Sequence, residues 1–559
     1  MNLLGRAMDK DFWRQVRERD CFEYFRSEAL KLWEKHCEVP IYALKYSEFK
    51  MFFDSGERVT YQGSYFTRRL AMDASAILAL IYPEEEKYLE RLMDEIYAIC
   101  DEYTWSLPAH QGQIEYNDNA HIDLFAAETA FTLAEIYTML SDRLDPLIKS
   151  RIEAEIERRV FSSFESTEPY GHWEACNNNW NAVCTGSVAC AYMLMSPERA
   201  EKLIPRFERA IDIYLSGFED DGICTEGCGY WKYGFGFFTV YADMLRTFTE
   251  GRIDRFKSEK VRIIATYLQK MLLSGKSGVG FADAGGVITY QMGLQHYLKH
   301  EYPDDVLVYP LEHAYIHDGC GRFGLALRSA TWLREEYLEH PDPVGTSMEY
   351  YADLSQWYIK KTPEYGFAAK GGHNNEHHNH NDVGSFIYAK DGAHVLTDPG
   401  GATYSRQYFV NATRYDYIEA ASAGHSLPII GNELQRFGKQ YAARDTRAVD
   451  GGFELDIAGA YGIPELTSLR RRFDFDESSA RITDSIAYSG SEQITERFVT
   501  LVKPEVTEDG TVIIASSRLV ATPAVVPTVT ETVIKTSVPF FLIDYKLPMG
   551  TEKFTLEIK

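Results

Sequence analysis

The chain has 559 residues, with 58 Lys+Arg against 83 Asp+Glu and a formal net charge of −25. At roughly 150 residues per domain this is more than one ordinary domain, and so large an acidic excess excludes a generic nucleic-acid-binding role, which needs a basic face. With 45% hydrophobic and 14% aromatic residues it is a globular chain and not a disordered polyelectrolyte.

Charges occur throughout Met1 to Asp20 with no apolar run of signal-peptide length, so no export signal is expected and a cytoplasmic location is. No stretch of about 18 apolar residues appears, which argues against a membrane span. The nine cysteines are an odd number and none lies beyond Cys320. Free, mostly buried thiols are expected. Cys224 and Cys228 lack the second pair that a zinc ribbon needs.

Up to about residue 310 the text is helical. Leu133, Ile136, Tyr137 and Leu140 fall at i, i+3, i+4 and i+7, and Ile264, Tyr267, Leu268 and Met271 repeat that spacing. Two strings are unusual for helices. Cys176-Asn177-Asn178-Asn179-Trp180-Asn181 places four asparagines in five positions ahead of the small-residue run Thr185 to Ala191. One asparagine suffices to cap a helix; the surplus amides suit a substrate carboxylate, and Trp180 suits stacking on a sugar ring. Thr225-Glu226-Gly227-Cys228-Gly229-Tyr230-Trp231-Lys232-Tyr233-Gly234 is Gly-rich and aromatic. Tyr230 and Tyr233 are core aromatics on composition alone, or phenols placed for proton transfer.

From about residue 320 short alternating runs are separated by Gly, Asp, Pro and Asn. Ser385 to Lys390 and Ala393 to Thr397 read as a hairpin turning at Asp391-Gly392. Thr511 to Ala515, Val533 to Thr536 and Phe540 to Asp544 read as strands, with Pro523 and Pro527 in loops or at edges. The expected fold is therefore a helical domain over 1–315 and an antiparallel β-sandwich over 316–559. At the start of the β half, four of the chain's 15 histidines fall in Gly372-His373-Asn374-Asn375-Glu376-His377-His378-Asn379-His380-Asn381-Asp382. In an extended segment His378, His380 and Asp382 share a face, a set suited to metal binding or proton transfer. Downstream, Asp398 in Asp-Pro-Gly-Gly is a turn cap or a ligand brought back by the hairpin, and His425 is a core histidine or another ligand.

These strings resemble the heparinase II/III-like polysaccharide lyases, a group that includes alginate and glycosaminoglycan lyases. The resemblance rests on the Asn string, on Glu-Gly-x-Gly-Tyr-Trp-x-Tyr-Gly and, most specifically, on His-x-His-x-Asp-x-Gly-Ser-Phe followed by Asp-Pro-Gly. It implies an N-terminal incomplete (α/α) toroid, a C-terminal antiparallel β-sandwich, and β-elimination on a uronic-acid-containing glycan to give a 4,5-unsaturated end. It implies Asn179 or Asn178 as the group that neutralises the substrate carboxylate, Asn179 being favoured by its 54-residue separation from Tyr233. Tyr233 is then the general acid, with Tyr230 the alternative. His378 is the base or charge stabiliser, and Tyr404 is a further active-site tyrosine. A structural zinc falls to His380, Asp398 and His425. Asn177, Trp180 and Arg414 are candidates for substrate contact. The expected partner is a short acidic oligosaccharide, with no nucleic acid and no membrane; self-association as a homodimer is left open. The competing readings are a glycoside hydrolase on the same helical scaffold, using carboxylates such as Asp123, Glu128 or Asp283, and a non-catalytic sugar-binding or metal-storing protein.

Overall fold

The computed structural model describes residues 2–111 and 119–559. They form two compact units, each assembled from three segments: 1–217, 231–262 and 290–342 in the first, and 218–230, 263–289 and 343–559 in the second.

The first unit is helix on helix. Its central helices, Val59–Ile81, Leu124–Leu140 and Asn179–Met195, are buried along most of their length, their charged residues Arg68, Arg69, Asp73, Glu128 and Glu135 included. Pro197–Leu215 instead buries one stripe (Ala200, Ile204, Phe207, Ile211, Tyr214) and packs on Asn179–Met195. Local chemistry fixes where two of these helices begin. Asp123 Oδ1 accepts from Ala126 N at 2.7 Å, and Asn178 Oδ1 accepts from Trp180 N at 3.1 Å. The small-residue run has a packing cause. A Cβ on Gly186 would sit 3.2 Å from the Phe237 carbonyl oxygen, and one on Gly234 would sit 3.0 Å from Asn179 Cβ. Helices Asn179–Met195 and Cys228–Phe248 therefore touch backbone to backbone at both points. The periodic run ending at Met271 is not one helix: Glu259–Ala265 and Tyr267–Met271 are separated at Thr266, whose hydroxyl bonds back to the Ile263 carbonyl at 2.7 Å.

The second unit is built on antiparallel sheets. One has the order Ala393–Leu396, Phe386–Lys390, Tyr365–Lys370, Trp357–Lys361, Met348–Ala352, and an eight-stranded and a four-stranded sheet come from the residues beyond 427. Residues of all three sheets meet in one apolar core, where Tyr358, Phe367 and Phe386 join Phe453, Phe473, Phe498 and Phe554. Strand Ala480–Tyr488 shows the alternation of a one-sided strand, whereas Phe386–Ala389 is buried on both faces. The Asp391-Gly392 hairpin forms as expected, with φ of 51° and 76° at its two turn residues. Val533 to Thr536 is not a strand of its own. Strand Thr528–Ile534 ends there, and Lys535 and Thr536 turn the chain with φ of 49° and 69°.

None of the nine cysteines is in a disulfide, and Cys224 and Cys228 are buried. Among the described residues no helix is long and apolar enough to cross a membrane.

Candidate active site and metal cluster

In the second unit, the histidine string does not run extended. Glu376 to His378 forms a turn, and His378 takes a left-handed φ of 56°, which a non-glycine residue adopts at a cost of roughly 1–2 kcal/mol. The turn separates His378 from His380 and Asp382, so the expected shared face is not formed. His378 instead lies with its ring stacked on Tyr230, centroids 4.0 Å apart and planes 19° apart. Its Nδ1 is 2.7 Å from Asp283 Oδ2, and its Nε2 is 3.8 Å from Glu226 Oε1. The Tyr230 hydroxyl shares a short hydrogen bond with that of Tyr404, which lies 3.3 Å from Asp283 Oδ2.

Asp283 is the centre of this group. Its side chain is 0% exposed. It also accepts from His380 Nε2 at 3.1 Å, the Tyr408 hydroxyl at 2.5 Å and Arg414 Nη2 at 2.9 Å. Burial alone would raise its pKa, but the bonds from His378 and His380 outweigh that and hold the carboxylate well below the usual range. Burial and the nearby Asp283 charge push Tyr230 far above the ordinary phenol value, and burial with Tyr230 does the same to Tyr404. Both phenols are proton donors, not phenolates. Arg414 is committed to this framework, with Nε on the Asn379 carbonyl at 2.8 Å and Nη1 on the Tyr408 carbonyl at 3.1 Å. The candidate for substrate contact is thus held by internal bonds.

Beside this group lies a buried donor set of His380, Asp382, Asp398 and His425, with one ligand atom from each all within 4.8 Å of one another. His380 Nδ1 faces His425 Nε2 at 3.3 Å, and His425 Nε2 is 3.4 Å from Asp398 Oδ2. His425 Nδ1 points at the Ala421 carbonyl at 3.0 Å and His380 Nε2 at Asp283, so the proton of each neutral ring belongs on the far side. Two lone pairs then face each other, and neither of the buried oxygens Asp382 Oδ2 and Asp398 Oδ2 accepts a hydrogen bond. A cation resolves all four. Tetrahedral ligands at about 2.0 Å from an ion are roughly 3.3 Å apart, in keeping with the two nearer separations. The residues therefore fit a metal ion. Asp382 joins the expected three ligands, its other oxygen being held by Lys370 Nζ at 2.7 Å.

The first unit holds the other sequence-level candidates. Asn178 is the helix cap, and Asn181 donates to the Glu174, Cys176 and Ala210 carbonyls. The Asn181 amide is thus structural, and Asn178 is engaged in the cap through Oδ1. Asn177 is exposed, and Asn179 is buried against Gly234, one residue beyond Tyr233. The Tyr233 hydroxyl donates to Glu128, and Arg322 lies 3.7 Å above its ring. Trp180 packs between His110 at 4.7 Å and His172 at 5.1 Å. His110 Nδ1 is held by Asp123 Oδ2 at 2.7 Å. Of the three carboxylates weighed for hydrolysis, Asp123 is therefore tied to a cap and a histidine, Glu128 to a tyrosine, and Asp283 to two histidines.

Sequence reasoning missed Asp283 as a centre, together with Tyr408 and His110. One signal was available for Asp283: it is the lone charge in Gly278-Val-Gly-Phe-Ala-Asp-Ala-Gly-Gly286, a loop in which Ala282 takes a φ of 62°. Glycine crowding around one charge marks a backbone held close to something.

Residues 366–533 match the family described as heparinase II/III-like, C-terminal. Among curated proteins no relative matches the sequence. Solved structures match over nearly the full chain. A heparinase III has a TM-score of 0.58 at 13% identity, covering 100% of this chain and 92% of its own. A heparan sulfate lyase from Pedobacter heparinus has a TM-score of 0.56 at 13% identity, covering 100% and 87%. The Streptomyces coelicolor A3 chondroitin AC lyase, solved with chondroitin sulphate, has a TM-score of 0.54 at 9% identity, covering 98% and 82%. At these identities the likeness is one of fold.

Proposed function

The chain belongs with the heparinase II/III-like polysaccharide lyases, residues 366–533 being their C-terminal domain, and from that premise we propose that it cleaves uronic-acid-containing oligosaccharides by β-elimination. The helix-rich unit is read as the incomplete (α/α) toroid of that group and the sheets as its sandwich. One observation carries the reading: a histidine with one ring nitrogen held by a buried carboxylate is stacked on a tyrosine whose hydroxyl meets a second tyrosine.

β-Elimination removes the proton at C5, breaks the C4–O bond, forms the C4–C5 double bond and returns a proton to the leaving oxygen. His378 suits the base. With its Nδ1–H given to Asp283, the Nε2 lone pair is available for the C5 proton. Tyr230 suits the acid, because burial keeps its phenol protonated, and Tyr404 behind it can hand a proton forward. Between Tyr230 and Tyr233 the acid role therefore goes to Tyr230, Tyr233 being engaged with Glu128. Abstraction adds negative charge to the C6 carboxylate, which must be stabilised by fixed donors. That role is assigned to Asn179 on the resemblance; the helix cap engages Asn178 through Oδ1, so its Nδ2 remains the alternative donor. A divalent ion, read as zinc, would be held by His380, Asp382, Asp398 and His425 and would supply a fixed positive charge there.

The test is a panel of alginate, hyaluronan, chondroitin and heparan oligosaccharides, followed by ultraviolet absorbance of the unsaturated uronate and by product mass. Elimination leaves the summed mass of the fragments equal to that of the substrate, whereas hydrolysis adds one water. Intact substrates throughout, or products heavier by water, overturn the proposal.

A further inference from the structure

We propose that Asp283 is a positioning residue that fixes the tautomers of both functional histidines at once, and so links the metal cluster to the acid–base pair. The mechanistic part rests on the lyase reading above; the tautomer and metal parts do not.

One carboxylate meets two imidazoles, His378 Nδ1 at Oδ2 (2.7 Å) and His380 Nε2 at Oδ1 (3.1 Å). An ionised carboxylate only accepts, so each neutral ring must carry its proton on the nitrogen facing Asp283. The consequences for the two rings are opposite in direction and complementary in use. His378 is left with its lone pair on Nε2, away from Asp283. His380 is left with its lone pair on Nδ1, toward His425 and Asp398. Among the described residues neither ring has a hydrogen bond to a carbonyl that would impose this choice, its remaining polar neighbours being Glu226 Oε1 at 3.8 Å from His378 Nε2 and the Tyr408 hydroxyl at 3.4 Å from His380 Nε2, whereas His425 takes its own from the Ala421 carbonyl. A carboxylate behind a metal-binding histidine raises its basicity and fixes its orientation. Here the same carboxylate does so for the neighbouring base.

The surroundings of Asp283 are built for a fixed position. Tyr408 and Arg414 hold Oδ1 from other sides. The backbone at residues 283 and 284 lies in a slot walled by glycines from two of the sequence motifs. A Cβ on Gly227 would fall 2.6 Å from Ala284 Cβ, one on Gly400 2.4 Å from the Ala284 carbonyl oxygen, and one on Gly401 3.1 Å from Asp283 Cβ. Gly227 of Glu-Gly-x-Gly and both glycines of Asp-Pro-Gly-Gly thus receive a physical reason: they admit the Asp283 loop.

Two measurements on the full chain test this. The first needs no variant: ¹⁵N shifts of the histidine rings in the zinc-loaded protein, with His378 and His380 assigned by loss of their signals in H378Q and H380Q. The expected result is a protonated Nδ1 in His378 and a protonated Nε2 in His380; the opposite tautomer at either ring overturns the proposal. The second uses Asp283→Asn, whose neutral amide cannot accept from both rings. Its zinc affinity, measured by competition with a chelator, should fall by roughly 10-fold to 100-fold. Its kcat on an oligosaccharide cleaved by the parent should fall by a similar factor or more while KM moves by less than about threefold. Unchanged zinc affinity, or a loss confined to KM, overturns it. If no oligosaccharide is cleaved by the parent, the lyase reading fails while the ring shifts and zinc affinity still decide the role of Asp283.

Discussion

Tyr230 and Tyr233 sit less than one helical turn apart, yet their hydroxyls meet different chemistry: Tyr230 meets Tyr404 beside His378, and Tyr233 meets Glu128. Tyr230→Phe removes the proposed acid and should lower kcat by 10²- to 10⁴-fold, the usual contribution of general acid catalysis, with little change in KM. Tyr233→Phe removes one buried hydrogen bond and should show mainly in stability, by about 1 kcal/mol. Steady-state kinetics of the two variants decide, and a larger kcat loss for Tyr233→Phe would reverse the assignment. The resemblance, through its 54-residue separation from Asn179, favoured Tyr233, whereas the partners of the two hydroxyls favour Tyr230. Glu128 adds a pH dependence of its own. Burial pushes its carboxyl up to about 7 against the pull of Arg322. From the ordinary value of 4.5 up to about 7, the folded state therefore holds a proton that the unfolded chain has lost, so stability falls as pH rises through that window, by about 3 kcal/mol in all. Glu128→Gln cannot ionise and can still accept from Tyr233. Its melting temperature relative to the parent should rise between pH 5 and pH 8; a constant difference would show that Glu128 ionisation is not the cause.

At the scale of elements, what could be read from the sequence was whatever local chemistry decides. The Asp391-Gly392 hairpin formed as expected because both turn residues accept positive φ. The extended reading of His378 to Asp382 failed because His378 itself adopts φ 56°, which nothing in an Asn- and His-rich string announces. The Ile264 to Met271 stripe was periodic but broken at Thr266, where a hydroxyl competes for a backbone carbonyl. Glycine positions carry a sharper message. Gly227, with φ 96° and a Cβ position 2.6 Å from Ala284 Cβ, has no room for a side chain. Gly229, two residues on, has nothing within 4 Å. Gly227→Ala should therefore cost about 2–4 kcal/mol, from backbone strain and overpacking together, and displace the Asp283 loop. Gly229→Ala, at the exposed start of a helix, should be neutral or stabilising by a few tenths of a kcal/mol. Urea unfolding of the pair measures the contrast, and equal midpoints would show that the loop yields easily.

For the whole molecule, the shift from helical to strand-rich text was plain in the sequence, whereas the interleaving of three segments in each unit was not. Segments 218–230 and 263–289 leave the helical text to join the sheet-bearing unit, and the contacts that draw them there are long-range ones such as Ser355 with Asp221. The net charge of −25 acts at the same scale. Within the acid–base group cationic capacity is scarce: Arg414 is buried and neutralised by Asp283. An acidic glycan, if that is the substrate, carries charge of the same sign as the chain's net charge. Repulsion grows with the number of charges that lie within a Debye length, roughly 10 Å at 0.1 M salt and 30 Å at 0.01 M. A long polyuronate brings many charges into that range and a trisaccharide brings few. If the chain is the proposed lyase, kcat/KM for the polymer should rise several-fold as salt is raised from 0.01 to 0.15 M, while the value for the trisaccharide changes little. Both are read from the same absorbance assay. A polymer preferred over the trisaccharide at 0.01 M salt, and weakened by added salt, would mean that a basic path overrides the bulk charge, and the expectation of a short substrate would fall with it.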